Sequence, residues 1–267
     1  MTSSPSRPAA RPDLAASAPA PQPPSQASGR ALLLTEDAEL VGGPPSLLRR
    51  LSAKERALVL DQGTRKVVSR GGTVFRQGAA NDGIYLIEYG RIRVFYSAPS
   101  GREITLAYWY PGNFVGGPEL FGARTHMWSG TAAANSVVVH LRSEALRGLA
   151  MRIPGLAMGL IEGLTFKGRC YSALAQMLGT RSVTERLARL LLHLMDSYGV
   201  AEPDGVLIAT GFTHADLAHM VGATRQWVTI SLKRMAGQGV LETRQGKLLI
   251  RDPQALRALQ EGNEAVI

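Results

Sequence analysis

Apolar and polar positions follow two different rhythms along this chain, and the changes of rhythm divide it. From Leu47 to Leu60, LLRRLSAKERALVL repeats at helical spacing, with Ser52 as an internal cap. From Thr64 to His140 the rhythm shortens to β-rich runs: RKVVSR, TVFRQG, GIYLIEYG, RIRVFYS, EITLAYWY, NFVGG and NSVVVHL. Gly71, Gly72, Gly78, Gly83, Gly90, Gly101 and Gly112 fall between them. Short strands at nearly even spacing predict an antiparallel roll or barrel, which encloses a small pocket and offers no catalytic constellation.

Helical spacing returns from about Pro154 to Tyr198. In its first half Leu160, Leu164, Lys167, Tyr171, Leu174 and Leu178 alternate by four and three residues. Apart from Lys167 this is the seam of a two-helix coiled coil, so Leu160, Leu164, Tyr171, Leu174 and Leu178 are expected to pair with a second copy. The competing reading packs the stripe against the chain's own sheet. Gly155, Gly159 and Gly163 recur every four residues; with Glu162 and Lys167 excluding a membrane span, they mark close approach to the roll. VTERLARLLLHL, with Leu187, Leu190, Leu191 and Leu194, predicts a separate amphipathic helix on the C-terminal part. GVAEPDG reads as a loop.

Residues 213–235, THADLAHMVGATRQWVTISLKRM, predict two short helices at a fixed angle. Thr213 caps the first, Asp216 completes a shortened capping box, and Gly222 ends the helix. Thr224 caps the second, whose inward face is Val228, Ser231, Leu232 and Met235. Arg225, Gln226, Thr229, Ile230 and Lys233 then point outward, the layout of a recognition helix in a major groove. GVLETRQGKLLIRD follows as a hairpin turning at Gln245–Gly246, a wing on which Arg244 and Lys247 would meet phosphates. The DNA-facing set is therefore Thr213, Thr224, Arg225, Gln226, Thr229, Ile230, Lys233, Arg244 and Lys247. PQALRALQ adds a last helix.

The fold class is α+β: an antiparallel roll at 45–153, a central dimerisation helix and hinge helix at 154–200, and a winged helix-turn-helix at 201–260. Residues 1–44, rich in Pro, Ala and Ser, cannot bury enough apolar area to offset their ordering entropy and are expected to be disordered. ALLL at 31–34 is a candidate docking element within that tail.

Composition sharpens this picture. A net charge of +9 over 267 residues points to a polyanionic partner. Between Thr213 and Arg251 six basic residues face only Asp216 and Glu242. The single cysteine, Cys170, excludes an intramolecular disulfide and any all-cysteine zinc or iron–sulfur site within one chain. No apolar run approaches the roughly 20 residues of a membrane span, and no secretory leader is visible at the N-terminus. The expected location is the cytoplasm. There is no Gly-rich phosphate loop, nucleophile elbow or metal-spaced His/Asp cluster, so an enzyme is not expected. The rival class is a β-roll interaction module without DNA binding, against which the exposed Arg225, Gln226 and Lys233 argue.

Taken in order, these segments resemble the Crp/Fnr family of bacterial transcription regulators over roughly residues 45–260. GGTVFRQGAANDGIYLIEYGRIRVFYS and SGREITLAYWYPGNFVG are similar to its cyclic-nucleotide-binding roll, VTERLARLLLHL to its hinge and following helix, and the winged helix to its DNA-binding domain. The resemblance implies a homodimer that binds an effector in the roll, reads a palindromic site in double-stranded DNA and contacts RNA polymerase. It also implies that Arg225 pairs with guanine, while Gln226 suits adenine and Ile230 a thymine methyl. The effector pocket it places at Gly116, Gly117, Glu119, Arg124, Trp128, Ser129 and Ser172. Cyclic-AMP binders carry Gly-Glu and Arg-Ser pairs; here those read Gly116-Gly117 and Trp128-Ser129. The ribose carboxylate is gone or displaced to Glu119, and the phosphate guanidinium has become tryptophan, with Arg124 as the nearby substitute. Ser172 matches a base-contacting position. Cyclic AMP is therefore not expected, nor is haem, for which His126, His140 and Cys170 are the available ligands. An iron–sulfur cluster is excluded by the single cysteine. Cys170 as a redox thiol, and an apolar pocket lined by Met127, Trp128 and Tyr108, are the other effector readings.

Overall fold

A computed structural model describes residues 45–121 and 124–262. The 1–44 tail and its ALLL segment lie outside the described residues.

The glycine-punctuated runs form two four-stranded antiparallel sheets. One has the order β1 (Thr64–Val68), β8 (Ser136–Arg142), β3 (Gly83–Tyr89), β6 (Phe114–Val115). The other runs β2 (Thr73–Phe75), β7 (Ser129–Ala132), β4 (Ile92–Ser97), β5 (Glu103–Trp109). Alternate side chains of both meet inside the roll, among them Tyr85, Ile87, Val94, Ala107, Trp109 and Val138. β7 has no counterpart among the sequence-predicted runs, because SGTA lacks the bulky residues that mark a strand. Its glycine is required: a Cβ on Gly130 would lie 2.3 Å from the Phe75 ring.

Ser52 begins a helix rather than sitting inside one. Its hydroxyl accepts from Glu55 N, and Glu55 Oε2 accepts from Ser52 N at 2.8 Å, a reciprocal cap on α1 (Ala53–Asp61). α2 (Ser143–Arg152), absent from the sequence reading, buries Leu146 and Leu149 with Leu47, Val59, Ile84 and Leu86 on the outside of the first sheet. The chain then bends by 118° into α3 (Pro154–Thr180). The glycine repeat does mark close approach. A Cβ on Gly159 would sit 2.5 Å from the Leu47 carbonyl, and one on Gly163 2.5 Å from the Phe114 ring. Among the described residues no single helix is long and apolar enough to cross a membrane.

The leucine stripe of α3 faces inward on its own protomer. Leu160 and Leu174 are buried, Leu160 against the first sheet and Leu174 against the C-terminal core. Leu164, Tyr171 and Leu178 pack partly buried on the same protomer. The physical reason is burial: the open side of the roll needs large side chains, and this stripe supplies them. The opposite face carries Met158, Ile161, Thr165, Gly168, Ser172, Ala175 and Gly179, all exposed, at the same three- and four-residue steps.

Ser182 caps α4 (Val183–Tyr198), whose Leu187, Leu190, Leu191 and Leu194 are buried in the C-terminal core. The expected loop GVAEPDG is instead a hairpin, β9 (Gly199–Glu202) and β10 (Gly205–Ile208), with Pro203–Asp204 at its turn. It extends the wing strands β11 (Leu241–Arg244) and β12 (Lys247–Ile250) to a sheet ordered β11-β12-β10-β9. Between them lie α5 (His214–Val221) and α6 (Arg225–Gly237), and α7 (Pro253–Gln260) follows.

Candidate nucleic-acid interface and effector site

The two helices of residues 213–237 are fixed by local chemistry. Thr213 Oγ1 accepts from Asp216 N at 3.1 Å and Asp216 Oδ2 accepts from Thr213 N at 2.9 Å. Gly222 ends α5 in the left-handed region, φ 66° and ψ 39°, which an L side chain rarely adopts. Thr224 Oγ1 accepts from Trp227 N at 3.1 Å and starts α6. With Val228, Leu232 and Met235 buried, the helix has one orientation, and Arg225, Gln226, Ile230 and Lys233 stand exposed on the other side. Thr229 is half-buried and already engaged: its hydroxyl donates to the Arg225 carbonyl and meets His214 Nδ1 at 2.8 Å. His214, not singled out in the sequence, thereby holds the two helices together.

The wing departs from expectation. Gln245 and Gly246, at φ 51° and 74°, make the tight turn between Arg244 and Lys247. Arg244, however, is ion-paired to Glu202 at 2.8 Å, Asp204 at 3.4 Å and Glu242 at 3.6 Å. Its guanidinium is held by carboxylates of the neighbouring hairpin and of its own strand. Lys247 is half-buried beside the turn.

Inside the roll the expected effector residues do not converge. Gly116 and Gly117 are buried, and Asn81 holds the following loop by donating from Nδ2 to the Glu119 carbonyl at 2.9 Å. His126 Nδ1 hydrogen-bonds the Gly116 carbonyl, and its ring lies 4.7 Å from that of Phe75. Burial lowers the His126 pKa. The Arg124 side chain is 80% exposed and 3.6 Å from Glu119, so it does not reach into the roll. Ser129 Oγ accepts from Gln77 N at 3.0 Å. Ser172 is exposed on the outer face of α3. Trp128 packs edge-on to Tyr171 with centroids 5.5 Å apart, against the roll's core. Met127 is exposed, and Tyr108 lies in the C-terminal core, so these do not line one pocket with Trp128. Cys170 is buried, and desolvation pushes its thiol up to about 12, the opposite direction from the lowered pKa of reactive cysteines.

Sequence reading passed over Lys167 as an interruption of the stripe. The residue is buried, and its Nζ sits 3.9 Å from the Trp109 ring centroid and 4.2 Å from that of Phe114. Desolvation pulls its pKa down to about 7, while the ring faces return part of the cost of burying the cation.

The helix-turn-helix docks on the roll. Tyr108 of β5 is buried with Leu217, Ala218 and Val221 of α5. Arg102 donates to the Gly222 carbonyl, His219 Nδ1 lies 3.8 Å from Glu103, and the hydroxyls of Tyr110 and Tyr198 meet at 3.1 Å.

Two stretches of the chain match known protein families. Residues 65–152 match the cyclic nucleotide-binding domain family, and residues 185–259 match the Crp-like helix-turn-helix domain. A CRP-like cAMP-activated global transcriptional regulator of Mycobacterium tuberculosis is 29% identical over 188 residues, covering 70% of this chain and 84% of that one. A cyclic AMP receptor protein of Thermus thermophilus is 26% identical, covering 81% and 97%. The solved structure of CLP, a c-di-GMP responsive global regulator of Xanthomonas campestris, superposes with a TM-score of 0.68 at 22% identity, covering 74% of this chain and 99% of that one.

Proposed function

We infer that this chain, a DNA-binding transcription regulator belonging to the Crp/Fnr family, acts as a homodimer on a palindromic site and does not use cyclic AMP as its effector. The observation that carries the DNA reading is the capped helix α6, with Arg225, Gln226 and Lys233 exposed and in no ion pair among the described residues. Arg225 reads guanine through O6 and N7, Gln226 reads adenine, and Ile230 meets a thymine methyl. Lys233 and the half-buried Lys247 face phosphates. RNA polymerase is the further partner, and the cytoplasm, where that DNA is reached, is the location.

Dimerisation runs through the outer face of α3. A Cβ on Gly168 or Gly179 would meet nothing within 4 Å, so the protomer's own packing has no use for glycine there. Glycine in a helix interior costs about 1 kcal/mol relative to alanine. Close approach of a second helix at Gly168, Ser172, Ala175 and Gly179 supplies the reason.

Cyclic AMP does not fit the residues present. The positions compared with the cyclic-AMP pattern hold Gly117 and Trp128 rather than a carboxylate and a guanidinium, Arg124 is exposed beside Glu119, and Trp128 packs beside Tyr171. A buried phosphate and hydroxyl left without partners cost several kcal/mol between them. Two measurements on the full chain test the reading. Selection from random duplexes should enrich an inverted repeat; no enrichment above a non-specific control would overturn the DNA assignment. Calorimetric titration should find no micromolar binding of cyclic AMP, and such binding coupled to tighter DNA binding would overturn the effector assignment.

A further inference from the structure

We propose that the cleft between the roll and the helix-turn-helix is an effector site for a small anion bearing a phosphate or diphosphate group. The inference rests on the DNA-binding reading above and adds a place where a ligand can act on it. The cleft holds about 190 Å³. Arg91 and Arg93 line it two residues apart, hence on one face of the extended chain. Tyr108 of β5 and Thr131 of β7 are the cross-strand partners of Arg93 and line it too. Arg70 stands on one side. Phe212 and Asp216, on the segment leading into and through the start of α5, close the other.

Three guanidiniums thus face one carboxylate, and that carboxylate already accepts from the Thr213 amide and hydroxyl. Arg93 is committed to Thr105 and Glu103. Arg91 is not fully committed: its Nε is buried without a hydrogen-bond partner, and its guanidinium lies 5.2 Å from the Tyr108 ring centroid. An unmet buried guanidinium donor beside a second arginine is the chemistry that donates to phosphate oxygens in pairs. A duplex cannot enter a cleft of this size, which separates the site from the DNA-facing surface. The roll supplies one wall and the helix-turn-helix the other, so an anion touching both biases how α6 is presented. Linkage then requires that DNA and the anion alter each other's affinity.

The test uses the full chain with inorganic pyrophosphate as the probe, titrated calorimetrically at constant ionic strength. Expected is saturable binding of one pyrophosphate per protomer, weakened tenfold or more in Arg70→Ala and in Arg91→Gln, and within twofold of the parent in the charge control Lys54→Ala. Arg70 is exposed, so its variant keeps the fold even where Arg91→Gln does not. Affinity for the selected duplex should shift several-fold with pyrophosphate in the parent and not in Arg70→Ala. Absence of saturable binding, or equal weakening by Lys54→Ala, overturns the site. A chain that binds its selected duplex but not pyrophosphate sinks this inference alone. One that selects no DNA, yet binds pyrophosphate through Arg70 and Arg91, keeps the site and sinks the DNA reading.

Discussion

Arg186 Nε donates to the carbonyl oxygen of Val221 at 2.9 Å, joining the start of α4 to the end of α5. Nη1 of the same guanidinium donates to the Arg181 carbonyl at 2.8 Å and to that of Leu178 at 3.4 Å. One side chain, buried in the protomer, thereby satisfies carbonyls at the C-terminal ends of two helices, where partial negative charge accumulates. Arg186→Met is expected to cost about 2–4 kcal/mol, since these are charged donors and the carbonyls lose their partner. Thermal unfolding reads the loss, and limited proteolysis should cut earlier near Ser182. An unchanged melting temperature would assign the hinge geometry to apolar packing alone.

Arg225 and Arg244 should behave oppositely in DNA binding. Arg225→Ala is expected to cost roughly 1–3 kcal/mol at one base pair and to relax specificity there, read by selection from random duplexes. Uniform weakening across all sequences would make Arg225 a phosphate contact instead. Arg244→Ala should change duplex affinity less than twofold and lower stability, because its partners are Glu202, Asp204 and Glu242. A fall in affinity with a reduced salt dependence would show that Arg244 leaves those carboxylates for DNA.

The two faces of α3 are expected to separate dimerisation from folding. Ala175→Glu places a charge on the exposed stripe and should give folded monomers in sedimentation, with specific DNA binding lost far more than non-specific binding. Leu160→Ala empties a core position and should cost about 2–5 kcal/mol of stability while the protein remains dimeric. Dimers that persist in Ala175→Glu would move the interface elsewhere.

Lys167 sets a pH dependence whose sign follows from its lowered pKa. The unfolded chain holds this proton up to about 10.5, and the folded chain releases it near 7. Between those values the unfolded state binds more protons, so stability rises with pH across the window. Lys167→Met should therefore be the more stable protein at pH 6, by about 1–4 kcal/mol, with the advantage shrinking toward pH 10. Urea denaturation at both ends measures it. An advantage independent of pH would mean that the ring faces of Trp109 and Phe114 hold the cation at no net cost.

The capped helices were legible in sequence because their signals are local: Thr213 with Asp216, Gly222, and Thr224 all act within four residues. The strands were legible through their glycine turns, apart from the small-residue β7. The orientation of α3 was not. Both its faces repeat by three and four, and only the roll decides that leucines go inward while Met158, Ser172 and Ala175 stay outside. The ion pairs of Arg244 were hidden for a similar reason. Glu202 and Asp204 lie forty residues upstream and are brought to it by a hairpin that reads as a loop. The effector residues were placed by resemblance, and the packing of Trp128 against Tyr171 is a tertiary fact that no local pattern carries.

Leu106, Tyr108 and Tyr110 pack into the core of the winged helix although they sit on or beside β5. That core is consequently a joint product of two segments a hundred residues apart, and its completion does not follow the chain's apparent seams. A chimera that grafts a foreign winged helix after residue 200 would leave a tyrosine-lined socket without its plug. Exchange of DNA specificity among such chains must therefore move the outer side of one roll strand together with the reading head, or proceed by point changes at Arg225, Gln226 and Ile230 that leave the socket untouched.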